Sequence, residues 1–351
     1  MAKEWGIDPD GLSWTFRLDE GLVFHNGDSL TAEDVKFSLE RTMFHEESVV
    51  GDGRRLKKQL RQPPEEAIEV IDPLTVRLHT EGSKPHFWSL LTRAVFQGGQ
   101  IMPKNYIEAM GDEGFRAKPV GSGPWRYVDH SVGDFFEYEA FDKSLRGVPH
   151  FQKLSLLLVP EESTKIAMVR TGQADIIDLV PESASEVLGA GMKLTVIEGV
   201  GMFIFQFWGL YFDEAKDLPT TDIRVRQAMS LAINRQDIID FTMNGYARPS
   251  MPFATFPTSV DVDVPRWQKW AKETLIYDPD RARELLKEAG WENGFDLTYW
   301  STNFGGTPYM NDISQAVAGF WDEIGINVDL KVVERGIWTP MTRKKGNTNW
   351  D

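Results

Sequence analysis

Apolar and polar residues alternate near the start of the chain, where Leu12, Trp14, Phe16 and Leu18 are separated by Ser13, Thr15 and Arg17. A period of two is that of a half-buried strand, here entered from an Asp10-Gly11 turn. The period then changes. Thr31 offers a helix N-cap, Glu33 and Asp34 place acids in the first turn, and Val35, Leu39 and Met43 recur at helical spacing. Ile68-Glu69-Val70 and Leu74-Thr75-Val76 flank Asp72-Pro73 as a hairpin, and a further β region runs from Gly123 through Trp125, Tyr127 and Val128, then from Phe135 to Phe141. Leu154 to Val159 is an unbroken apolar run, the pattern of a strand buried on both faces. A helix over 162–171 is expected to turn Ile166 and Val169 inward and to stop at Gly172, with Ala174 to Ile177 as a short strand after it.

The pattern shifts again between Gly209 and Pro219. Asp222 can cap a helix containing Ile223, Ala228, Met229 and Ala232, and a second helix is expected from Asp237 to Met243, ending at Gly245. Four prolines between Pro249 and Pro265 predict an extended surface segment. The sharpest local signal is Asp278-Pro279 to Gly290: an N-cap, a proline at the first helical position, a stripe of Ala282, Leu285, Leu286 and Ala289, and a glycine stop. Leu297-Thr298-Tyr299, a helix over 311–323 and a strand over 326–332 form a βαβ unit, whose strands should be parallel with a right-handed crossover.

Composition narrows the chemistry. The 351 residues contain no cysteine, which removes disulfides, thiolate zinc sites and a cysteine nucleophile. A net charge of −15 repels phosphates unless a basic patch is segregated, and the longest run of cations is Arg343-Lys344-Lys345, so nucleic-acid binding is not expected. The length suggests two domains. Twelve Trp, 21 Phe and 8 Tyr supply enough aromatic surface to line a cleft as well as a core. Neither an N-terminal signal peptide nor a membrane-spanning apolar stretch is present in these residues.

No reaction chemistry is advertised. Gly121-Ser122-Gly123 opens like a dinucleotide fingerprint, but Arg126 occupies the third glycine position and Pro124 interrupts the expected helix, so a tight turn into a strand is the better reading. The six histidines fall into no metal-ligand spacing, and no GxSxG elbow exists. No cofactor, metal or catalytic residue is therefore assigned. In the run Phe203 to Trp208, alternation would let Phe205 and Phe207 pack while Gln206 and Trp208 face a ligand.

Several motifs in fixed order resemble the extracytoplasmic solute-binding proteins of peptide- and nickel-type ABC importers, the oligopeptide/dipeptide-binding family. They are Ala2 to Trp5 with Asp10 to Leu18, Val23 to Ser38, Gly121 to Trp125, Val169 to Asp175, Asp222 to Ile233 and Tyr277 to Gly290. The resemblance implies an α/β, two-lobe periplasmic-binding-protein-like fold with an additional β-rich subdomain in the first lobe. It divides the chain into a first lobe, 1–210, and a second, 211–351, with Gly209 to Asp213 crossing between them. Family members extend beyond both ends of this pattern, so the chain is expected to be an internal fragment.

By the same resemblance, the protein captures a peptide or other small solute and delivers it to ABC permease subunits, as a periplasmic or extracytoplasmic monomer. The alternative is the ligand-sensing domain of a transcriptional regulator. The expected ligand contacts are Phe96, Gln97, Gln206, Trp208, Tyr309, Arg335 and Trp338. Dipeptide-binding members grip the ligand carboxylate with an arginine where this chain has Thr307, which cannot supply a bidentate fork. Arg335 is singled out because a cation buried in a cleft is costly without a partner.

Overall fold

The computed structural model describes residues 1–45, 51–92, 99–197, 202–207, 210, 212–249, 262–303, 307 and 309–338. The chain divides into two units, Met1–Pro160 and Glu161–Asp351. The resemblance places the boundary between lobes near residue 210, whereas this division falls fifty residues earlier, and 202–207 packs within the second unit.

In the first unit, β1 (Ala2–Ile7), β2 (Ser13–Leu18), β3 (Ile68–Asp72) and β4 (Thr75–His79) form a sheet of order β1-β2-β4-β3, antiparallel throughout. The period of two is realised: Trp14, Phe16 and Leu18 are buried, while Leu12, outside the strand, is exposed. Helix α1 (Ala32–Phe44) buries Val35, Leu39 and Met43 as its spacing predicts. Its start is closed by hydrogen bonds. Asp34 accepts from the Thr31 N–H and hydroxyl, both at 2.9 Å, and from the Lys104 N–H at 2.9 Å. The Ser38 hydroxyl donates to the Asp34 carbonyl at 2.6 Å and accepts from the Met102 N–H at 2.7 Å. These bonds tie α1 to the chain entering α3 (Lys104–Ala117), which bends at Gly111. Helix α2 (Gly51–Gln59), which no sequence signal predicted, packs on α1.

A second, three-stranded antiparallel sheet holds β5 (Trp125–Ser131), β6 (Phe135–Ala140) and β7 (Lys153–Leu157) in that order. The turn before it is held by His25. The imidazole Nδ1 accepts from the Gly121 N–H at 3.2 Å, so Nε2 carries the proton and donates to the Gly123 carbonyl at 2.9 Å. Burial pushes the His25 pKa down, as does the nearby Arg126 charge. Gly121-Ser122-Gly123 is thus a turn into a strand. The expectation for Leu154 to Val159 fails: β7 is an edge strand, and Leu156, Leu157 and Leu158 are all more than half exposed. An apolar run reports that a strand has something to bury, and which faces are covered depends on chain distant in sequence.

In the second unit, α4 (Glu162–Thr171) buries Ile166 and ends at Gly172 in the left-handed conformation, φ +74°. Residues 174–177 form no strand, and Ile176 is 90% exposed, because no described segment pairs with them. The short α5 (Ala184–Gly189) precedes α6 (Ile223–Leu231), whose cap is Asp222 accepting from the Arg224 N–H at 2.8 Å. Ile223 is nevertheless 60% exposed. The next helix begins earlier than expected, with α7 (Arg235–Asp237) capped by Asn234 and continuing as a wider turn over Ile238–Thr242. The proline-rich segment lies mostly outside the described residues, and its end enters α8 (Val264–Thr274). Helix α9 (Pro279–Glu288) follows its sequence signal closely, with Asp278 accepting from the Arg281 N–H at 2.9 Å.

The βαβ unit is present as β8 (Phe295–Ser301), α10 (Met310–Asp322) and β9 (Ile326–Val332), with the strands parallel from Phe295 opposite Ile326 to Ser301 opposite Val332. Their entrances are pinched together: a Cβ on Gly294 would lie 1.7 Å from the Gly325 carbonyl oxygen, so no side chain fits there. Trp321 anchors this unit's core, its indole N–H donating to the Met229 carbonyl at 2.9 Å.

Candidate functional site

The two parallel strands of the second unit open at their carboxyl ends, the position outside which ligands bind in open α/β sheets. Ser301 ends β8, and the Val333 N–H donating to the Ser301 carbonyl at 2.9 Å carries the ladder one step past β9. Side chains there are polar. The Ser301 and Ser314 hydroxyls lie 2.8 Å apart, Ser301 donates to the Asn311 side-chain oxygen at 3.2 Å, and Ser314 donates to the Met310 carbonyl at 2.8 Å. The Tyr299 phenol donates to Ser314 at 3.3 Å, and burial pushes its pKa up, so it is held as a neutral donor.

These bonds draw the first turn of α10 against the end of β8. That turn is capped by no side chain, since the N-cap position is held by Tyr309. A helix start leaves backbone N–H groups without intrahelical partners and carries partial positive charge, which suits a polar or anionic ligand group. Thr302, the next residue after β8, is 1% exposed, and its hydroxyl has no hydrogen-bond partner among the described atoms. A buried orphan hydroxyl is uncommon in a folded protein, where water or ligand ordinarily completes such groups.

Of the residues expected from sequence, Phe96, Gln97 and Trp208 lie outside the described residues. Gln206 is exposed, while Phe203, Phe205 and Phe207 pack on the core of the second unit. The Phe205 ring stands edge-on to Trp321 at 5.2 Å. Tyr309 is half-buried at the start of α10. Arg335 and Trp338 occupy the helical turn just beyond β9, with the Trp338 N–H donating to the Glu334 carbonyl at 3.0 Å. Arg335 is exposed, so the argument from the cost of burying it does not hold in this structure. Ser301, Thr302, Asn311 and Ser314 were missed. A signal for one of them was present, because Ser314 interrupts the apolar stripe of Ile313, Val317, Ala318 and Trp321 on α10.

Other features are poorer candidates. A groove of about 300 Å3 in the first unit is lined by apolar groups such as Trp5, Phe16, Leu39, Trp88 and Ile101, without convergent polar side chains to fix a solute. No cluster of metal-ligating side chains occurs among the described residues. No helix among them is long and apolar enough to cross a membrane.

The fold is mixed α/β, with polar side chains gathered at the carboxyl ends of two parallel strands. Residues 1–350 match the family of bacterial extracellular solute-binding proteins, family 5 Middle, and the chain belongs to that family. It is a family of non-enzymatic transport components. Among curated relatives, the glutathione-binding protein GsiB of Pectobacterium atrosepticum is 28% identical over 342 residues, covering 96% of this chain and 61% of the relative. The heme-binding protein A of Haemophilus influenzae is 26% identical, covering 94% and 60%. The chain thus spans about three fifths of the length of these relatives. Solved structures give the same fold. A binding protein, MoaA, from A. tumefaciens in complex with mannopinic acid superimposes with a TM-score of 0.66 at 25% identity, covering 97% of this chain and 64% of that one. A dipeptide-binding protein from Pseudoalteromonas in complex with Met-Leu gives 0.67 at 20% identity, covering 97% and 67%.

Proposed function

We propose that this chain is the larger part of a substrate-binding component of an ABC importer, which captures a peptide or peptide-like solute between two hinged lobes and hands it to membrane permease subunits. The observation that carries this reading is the family match along the whole chain. The parent protein then works outside the cytoplasmic membrane as a monomer, and lobe closure draws its free energy from ligand contacts. The relatives named above are a glutathione-binding and a heme-binding protein and proteins in complex with mannopinic acid and with Met-Leu, and each of these ligands carries at least one carboxylate.

In this reading the start of α10, the Thr302 hydroxyl and Tyr309 meet polar ligand atoms, and Gln206, Trp208, Phe96, Gln97 and Trp338 complete the lining. Because Thr307 stands where dipeptide binders carry an arginine, Arg335 is the cation assigned to a ligand carboxylate. Mass spectrometry of small molecules that co-purify with the full-length parent identifies the solute, and calorimetry with that solute measures its affinity. Arg335→Ala is expected to weaken binding by about tenfold or more. Unchanged affinity takes Arg335 out of the site, and a parent that binds no peptide, amide or carboxylate compound refutes the function itself.

A further inference from the structure

Helix α2 concentrates positive charge on an acidic chain. At about 100° per residue, Gly53 and Leu56 share one side of α2, and Arg54, Arg55, Lys57 and Lys58 spread over the other; Leu60, which bridges to Thr80, and Arg61 follow just past the end of the helix. The structure realises both sides. Leu56 and Leu60 are buried, and a Cβ on Gly53 would lie 2.0 Å from the Thr42 carbonyl oxygen, so the helix backbone sits directly against α1. All five cations are exposed. Lys57 lies 4.6 Å over the Phe44 ring, and Arg54, Lys58 and Arg61 form no ion pair with a described residue. No single run of cations marks this face in the sequence, because Leu56, Gln59 and Leu60 interrupt it. The helical turn gathers the first four charges, and Arg61 follows just past its end.

We propose that this face of α2 docks an acidic protein segment, a partner surface rich in Asp and Glu carboxylates. Three of the five cations are arginines, whose planar forks pair with carboxylates through two hydrogen bonds. The chain carries −15 overall, and that figure already includes these five cations. An extended polyanion such as a lipid bilayer therefore meets a molecule that is more acidic everywhere else and is repelled by it. A discrete acidic segment of a protein meets only the cationic face, because attraction and repulsion are screened beyond about 8 Å at physiological salt. The face also exposes no aromatic or aliphatic side chain that would insert between lipids. This surface does not depend on the solute-binding reading.

The test uses the 351-residue chain and a fluorescent decaglutamate peptide, read by anisotropy. The peptide is expected to bind, to weaken severalfold as salt rises to about 0.15 M, and to lose at least about tenfold in affinity to Arg54→Glu/Lys58→Glu. Arg146→Glu/Lys193→Glu makes the same change in net charge at exposed sites elsewhere and is expected to leave binding unchanged. Circular dichroism checks that both variants fold. Equal losses in the two variants, no binding of the peptide, or stronger binding to vesicles containing about a third phosphatidylglycerol would each overturn the proposal.

Discussion

The two units treat their buried polar groups differently. In the first, each one described is committed to holding the chain: Asp34 and Ser38 join α1 to the start of α3, and His25 grips the turn before β5. In the second, Ser301, Thr302 and Ser314 gather at the carboxyl end of two parallel strands, and Thr302 has no partner among the described residues. A polar group closed by the protein stabilises a scaffold, and one left open is available to a ligand. The contrast marks the first unit's hydrogen bonds as architecture and makes the strand end of the second the candidate place for recognition.

The largest effect expected falls on packing. Trp321→Ala removes a side chain 2% exposed, its hydrogen bond to Met229 and its contacts with Phe205 and Tyr299, and should cost about 3–5 kcal/mol in urea unfolding. A cost below about 1 kcal/mol would mean that the core of the second unit is not organised around this ring. Asp34→Ala tests the closed network of the first unit. It strands the Thr31 and Lys104 N–H groups and should cost about 1–3 kcal/mol, where a neutral result would break the contrast between the units.

His25 gives that network a pH signature. Its folded pKa is lowered by burial, so the folded state binds fewer protons than the unfolded chain. The stability it contributes is therefore present above its unfolded pKa of about 6.5 and is lost as pH falls below that value. The difference in unfolding midpoint between pH 7.5 and pH 5 should shrink in His25→Gln. An identical difference in both proteins would assign the acid sensitivity to other groups. The smallest effect is expected at Thr302→Val, which keeps the shape and removes the unpartnered hydroxyl. Without ligand it should be neutral or stabilising by up to about 1 kcal/mol, and a loss larger than that would show that the hydroxyl is already satisfied.

Much of this was legible in the residues. Asp278 and Asp222 cap the helices that they were expected to cap, Gly172 ends α4, and the period of two in β2 and the spacing in α1 name the side chains that are buried. Each of these is a choice made within a few residues. The order of motifs, read as a resemblance, led to the same family as the comparisons. The misreadings have a common cause. Leu154 to Val159 reads as doubly buried and Ala174 to Ile177 reads as a strand, but covering a face or pairing an edge depends on chain far away in sequence.

The candidate site divides in the same way. The packing of Phe205 and Phe207 and the exposure of Gln206 were visible in their alternation. Ser301 and Thr302 were not, since nothing local distinguishes a strand-end hydroxyl that has a partner from one that does not.

By itself, then, the sequence determined the caps of α6 and α9, the inward faces of β2 and α1, the acidic charge and the family resemblance, because these follow from composition, backbone preferences and patterns over short spans. Only the tertiary structure decided which polar groups of the described residues close on one another, and which cations gather on α2 and just past its end. Those outcomes are set by contacts between residues such as Ser301 and Ser314, or Gly53 and Thr42, whose meeting is a property of the folded chain.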